Sequence, residues 1–422
     1  MTTVKTVTGL LFAALLLAAG SSRAAETAFN VTDFGAVADG KTDCTGALQQ
    51  AIDRCAATGR GTVRVPAGTF CITPVFLKSG VTLQLDNGAR LLAPGSYDKY
   101  PKLKYARGIK PSLISGAELT NVAVIGEGVI DGNCPAMEKG EGYQPRLLVL
   151  VGCKNVRLEG ITLANSPNFH ASIAGDDVVI DGVKFIARPK TPNAAGLGLS
   201  GRNIRIANCV FESGDDNIAL GSTKYPVENV VIEKCRFGVG HGLSAGSYLQ
   251  PGIRNVTIRD CTFEGTTAGL RLKTARDRGG IVENIIMSNV TMKAVAHPIS
   301  INSYYGLKLH ELDPNDKPQP VTKTTPLYRN IRITNLNATD AEIAGLVAGL
   351  PECPVTNLVF ERVRISAKTG LRLMHVKETD LRDSTITVAQ GRPLILENAT
   401  VKNTSELDGA KTFDNQSRER IP

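Results

Sequence analysis

The sequence predicts an all-β fold: a right-handed parallel β-helix, closed at its N-terminal end by a capping helix. Three observations carry this. A short unit, Asn-apolar-x-apolar, recurs at Asn121, Asn155, Asp177, Asn203, Asn229, Asn255, Asn284, Asn330 and Asn357, at intervals of 34, 22, 26, 26, 26, 29, 46 and 27 residues. Fixed slots after each unit hold interchangeable apolar residues. Six places on stand Ile161, Val183, Cys209, Cys235, Cys261, Val290, Leu336 and Val363; eight places on stand Leu163, Phe185, Phe211, Phe237, Phe263, Met292 and Ile365. Finally, the chain has 42 glycines and no tryptophan, and a single stretch with helical spacing, which favours turns over helices. Apolar residues at every second place, as in Val230 and Ile232, mark strands with one buried face. A period near 26 residues stacks those strands in parallel, about 4.8 Å apart along an axis. Helical solenoids need apolar spacings of three or four, and propellers need periods near about 40.

In chain order, the first element is a processing segment. Lys5, the apolar run Gly9–Gly20 and the small residues after Arg23 form the pattern of a cleavable export signal over residues 1–25. The run of about a dozen residues is short of the roughly 18 needed to span a bilayer, so no stable membrane association is expected. The mature protein is expected to be secreted or periplasmic. Residues 26–404 then form one β-helix domain. Asp43–Thr58 is its capping helix, with Ala47, Leu48, Ala51, Ile52 and Cys55 on one face. Residues 306–328, rich in Pro and Lys, read as a long loop inserted between coils. Residues 405–422 form a polar tail.

The formal net charge is +8, and loss of Lys5 and Arg23 with the leader makes it +6. That suits an anionic partner. The absence of a dense Lys/Arg run disfavours nucleic acid, and charge alone does not choose between an acidic membrane surface and an acidic polysaccharide. The protein is expected to be a monomer. Nine cysteines in an exported chain would fit a disulfide framework. Cys209, Cys235 and Cys261, however, occupy slots filled elsewhere by Val and Leu, and so read as buried thiols. With no CxxC and no His/Cys cluster, no metal or other cofactor is expected.

The chemistry is expected on one outward face. Leu197, Ile218, Leu243, Leu270 and Ile299 register as one inward column, and Leu199, Leu220, Ala245, Leu272 and Ile301 as a second. Alternate residues then face outward: Ser172, Gly198, Ala219, Ser244, Arg271 and Ser300 form one row. Asp215 and Asp216 lie at the start of one strand and His241 at the equivalent place one coil later, while Arg271 and Lys273 project from a further coil. Paired carboxylates can divide acid and base roles, and a cationic pair beside them suits a sugar that carries its own carboxylate. Asp176-Asp177, by contrast, sits in the repeat's own turn and reads as structural.

Gly214-Asp-Asp-Asn-Ile-Ala, Gly240-His-Gly-Leu-Ser and Arg271-Leu-Lys273, in this order and one coil apart, resemble the signature of glycoside hydrolase family 28, the polygalacturonases. Asn302-Ser-Tyr-Tyr305 resembles the segment that bears the family's active-site tyrosine, with Tyr305 the better match. The resemblance implies inverting hydrolysis of a pectin backbone without metal. Asp215 would protonate the leaving oxygen and Asp216 would activate water, with carboxyl groups about 6.5–9.5 Å apart. His241 would tune the acid. Arg271 and Lys273 would hold the uronate, and Tyr305 would pack on the sugar. Asn193, Gly242 and His170 complete the set assigned to substrate.

One departure stands out. The family's Asn-Thr-Asp-Gly reads Asn193-Ala-Ala-Gly196 here, so the carboxylate expected at Ala195, beside Asp216 in the stack, is absent. Three readings stay open: Asp216 acts alone, a groove-facing His170 substitutes, or the chain binds pectin without cutting it. A rhamnogalacturonan-type hydrolase and a calcium-dependent lyase are further alternatives. Endo or exo action would depend on loops such as 306–328.

Overall fold

The computed structural model describes residues 28–96, 99–100, 112–134, 144–188, 191–221 and 224–403. The expected leader and tail lie outside these residues. The described chain is a parallel β-helix: its strands form one continuous sheet of 29, and every paired strand runs parallel to its partner a coil away. The predicted inward columns are buried, and their register is as read from the sequence, with Leu197 opposite Ile218, Leu243 opposite Leu270 and Leu272 opposite Ile301.

The recurring Asn does more than open a strand. Each of the nine repeat positions has φ between 51° and 58°, a left-handed corner between two strands. Asn and Asp tolerate this conformation because their short polar side chains bond locally. Here they bond along the stack as well: Asn229 donates to Asn203, Asn255 to Asn229, Asn284 to Asn255 and Asn330 to Asn284, at 3.0–3.2 Å. Asp177 heads the same ladder by accepting from Asn203 at 3.0 Å, which gives Asp176-Asp177 the structural role expected of it.

Inside, Phe185, Phe211, Phe237 and Phe263 stack with centroids 4.2–5.2 Å apart and planes within 10°. Beside them run Cys209, Cys235 and Cys261, buried, each Sγ donating to a carbonyl two residues back. All nine cysteines are free thiols. One α-helix, α1 (Thr45–Ala57), covers the N-terminal end and buries Leu48, Ala51, Ile52 and Cys55 against the core. It starts two residues later than expected because Asp43 lies outside it and accepts the Thr45 N–H at 2.9 Å. No helix among the described residues is long and apolar enough to cross a membrane.

Candidate active site

The outward row forms as predicted: Ser172, Gly198, Ala219, Ser244, Arg271 and Ser300 are paired in sequence across consecutive coils. Asp215 and Asp216 precede the strand Ile218–Leu220, where the coil turns onto this face. Asn217 makes that turn rigid. Fully buried, it donates to the Val239 carbonyl at 3.1 Å and accepts the Gly242 N–H at 2.7 Å. The His241 N–H donates to the Asp215 carbonyl at 2.9 Å, which ties the two neighbouring coils together.

The side chains converge on Asp216. It is 6% exposed, and Lys273, 7% exposed, places Nζ at 2.8 and 3.1 Å from its two carboxylate oxygens. Arg271 donates to the same group at 3.2 Å and Ser244 at 2.6 Å. Burial pushes the Asp216 carboxyl up, but nearby His241 and the Lys273 charge outweigh it and bring it down to about 2. Asp215 lies nearer solvent. His241 Nδ1 sits 2.9 Å from its carboxylate and 3.7 Å from that of Asp216. The bond to His241 holds Asp215 below the usual carboxylate range, and the bonds to Asp215 and then Asp216 push His241 up to about 9. At neutral pH the Asp215–His241 pair therefore carries one proton, poised at the edge of the groove.

One donor atom from each of Asp215, Asp216 and His241 lies within 4.8 Å of the others, which is close enough to share a cation. Any such cation would have to displace the buried Lys273 ammonium from Asp216, so the donor set is poorly suited to a divalent metal. The nearest oxygens of the two carboxylates are therefore closer than the expected carboxyl separation of about 6.5–9.5 Å. Consecutive residues gripped by one imidazole are held closer than that.

Tyr305 flanks the cluster, its ring 5.6 Å from Lys273 Nζ, while Tyr304 turns away to donate to Asp316 at 3.1 Å. Asn193 is an exposed left-handed residue (φ 62°) ahead of the groove strand. Gly242 serves the backbone instead of the substrate. Its N–H is taken by Asn217, its φ is +72°, and a Cβ there would lie 1.9 Å from the Ala268 carbonyl. His170 does not face the groove: it is fully buried, with Nδ1 2.9 Å from the carbonyl of Ala195, and burial lowers its basicity. Its ring is tied to Ala195 main chain beneath the face, so it cannot replace the missing carboxylate. Arg271 and Lys273, expected to hold a uronate, are both committed to Asp216 in the substrate-free site.

Sequence reasoning missed Ser244 as a site residue, although its place in the outward row beside Arg271 was visible. It also missed Tyr248 and Arg278. Tyr248 is 54% exposed, and the Arg278 guanidinium lies 5.5 Å from its ring and 5.7 Å from that of Tyr305.

The profile of Glycosyl hydrolases family 28 matches residues 55–345. The chain belongs to this family. Among family 28 relatives, an endo-polygalacturonase of Pectobacterium carotovorum subsp. carotovorum is 33% identical over 296 residues, covering 63% of this chain and 73% of the relative. A polygalacturonase of Prunus persica is 29% identical over 364 residues, covering 82% and 89%. In structure the chain resembles a Yersinia enterocolitica family 28 exopolygalacturonase, with a TM-score of 0.77 at 23% identity, covering 92% of this chain and 79% of that one. This family 28 protein is a glycosidase, and a pectin polysaccharide is the substrate its family implies.

Proposed function

We propose that this protein hydrolyses the galacturonate backbone of pectin by general acid and base catalysis with inversion. The observation that carries the reading is the division of labour between the two aspartates. Asp215 shares a proton with His241 at the groove edge, whereas Asp216 is a fixed, buried anion. The His241 imidazolium passes its proton through Asp215 to the glycosidic oxygen as the bond from the anomeric carbon to that oxygen breaks. Water attacks the anomeric carbon and gives a proton to Asp216. A uronate carboxylate docks on Arg271, whose side chain is 24% exposed, and on the rim made by Tyr305. This draws one cation away from Asp216 and raises its basicity when substrate is present.

The closeness of the carboxylates is nearer to the roughly 5–5.5 Å of retaining enzymes. What favours inversion is the state of Asp216. Three side chains donate to its oxygens and it is almost wholly buried, so it is poorly placed to bond a sugar carbon. Reducing-end release from polygalacturonate, with ¹H NMR of the first anomer formed, tests the reading. The expected result is inversion, lost in Asp215→Asn; full activity in that variant would remove the acid assignment.

A binding-only reading draws on Ala195. With the family's carboxylate absent and His170 turned away, Asp216 is the one base beside the water, and a slow enzyme is expected, by a factor on the order of 10²–10⁴. Prolonged incubation with no new reducing ends, alongside calorimetric binding of oligogalacturonides, would establish binding without turnover. Export is part of the proposal, on the strength of the leader pattern in residues 1–25. N-terminal sequencing of the protein recovered outside the cytoplasm tests it.

A further inference from the structure

We infer that the inserted segment 306–326 is a chain-end stop: it terminates the groove just past the catalytic cluster, so the enzyme works from one end of a galacturonan and releases a short product of fixed length. The inference rests on the polygalacturonase reading above. Beyond Arg271 the outward row continues through Ser300, Leu346 and Arg372. In a groove open along its length these positions would meet solvent or sugar. Instead Leu346 is 3% exposed, and its outward neighbours Ala348 and Met374 are fully buried. They pack with Tyr304, Leu312 and Leu350 in a small apolar core separate from the interior of the helix. The segment is also clamped in place. Arg372 donates to the carbonyls of Leu309 and Leu312 at 3.0 and 3.2 Å. Arg276 bridges Asp316 and Glu352 at 2.6 and 2.7 Å, and Asn398 donates to the Pro314 carbonyl at 2.6 Å.

Leu346 lies two strand spacings from Arg271, roughly 10 Å, which leaves room on that side for a mono- or disaccharide. On the other side the face stays concave. A cleft of about 370 Å³ runs over Ser172, Gly198 and Ala219, walled by Arg146 and Lys224. These cations sit 4.8 and 5.0 Å from the rings of Phe169 and Tyr225. A floor of small residues between cation-bearing aromatic walls suits the longer arm of an anionic sugar chain. The groove is therefore one-sided.

The test is calorimetry of the Asp215→Asn enzyme with galacturonans of defined length, paired with product analysis of the wild type. The expected stoichiometry is one protein per chain whatever the chain length, with a single short product and viscosity falling slowly relative to reducing ends. Several proteins bound per chain, or oligomers of mixed length from the outset, would overturn the stop and leave the polygalacturonase reading standing. No binding to any galacturonan would overturn both. A variant with a Gly-Ser linker in place of residues 308–322 is expected to bind at several positions per chain. One protein per chain in that folded variant would also overturn the stop.

Discussion

Replacing Lys273 by Met probes how the site holds its buried anion. The substitution keeps most of the side-chain volume and removes one ammonium, together with its 2.8 and 3.1 Å bonds to Asp216. Both partners are less than a tenth exposed, so the pair is a buried one, and removing one member of such a pair costs about 3–5 kcal/mol. Asp216 gives a second measure. Its carboxyl falls from 3.8 to about 2, and at 1.36 kcal/mol per pH unit that shift is worth about 2 kcal/mol of stability. Because the folded value is depressed, this contribution is present above pH 3.8 and is lost as pH falls through about 2. Lys273→Met is therefore expected to destabilise the protein strongly at pH 7, and less so as pH approaches 2. The assay is urea unfolding followed by far-ultraviolet circular dichroism, since the chain has no tryptophan, in a cycle with Asp216→Asn. Each single variant strands a buried charge or polar group; the double variant strands neither charge. A coupling of about 2 kcal/mol or more is expected. Additivity within about 0.5 kcal/mol would refute the idea that Lys273 acts through Asp216.

Three further outcomes are expected. The His241 imidazole should titrate by NMR near pH 9, falling toward about 6.5 in Asp215→Asn; because its folded value is raised, its stabilising share is full below 6.5 and fades as pH rises through about 9. Arg271→Ala should lower kcat/KM on galacturonate oligomers by about 10- to 150-fold, the equivalent of one charge-assisted hydrogen bond of about 1.5–3 kcal/mol, measured by initial rates. Gly242→Ala should cost more than about 2 kcal/mol in thermal unfolding, because a side chain there must meet both a positive φ and a carbonyl at 1.9 Å.

The fold was legible because a solenoid writes the same instruction many times. Val230 and Ile232 name a strand only weakly, but the same pair at Val256 and Ile258 fixes the period. The period in turn fixes the register of the inward column that runs from Ile218 through Leu243 and Leu270 to Ile299. That register placed Arg271 beside Ser244 correctly. Three things lay beyond it. Alternation tells which face a side chain leaves from, not how far it reaches, so the commitment of Lys273 to Asp216 across two coils was invisible. His170 stands outside the regular strand, where alternation fails, and its ring folds under Ala195. The docking of residues 306–326 depends on Arg276 and Arg372, each of which reads in sequence as an ordinary surface charge.

The asparagine corners have an evolutionary consequence. Asn330 bonds Asn284 across 46 residues at 3.0 Å, the same length as the Asn255 to Asn229 bond across 26. A coil can therefore gain some twenty residues without its neighbours registering the change. Lineages can lengthen or trim one excursion while the stacked corners, and the face they hold in register, are inherited untouched.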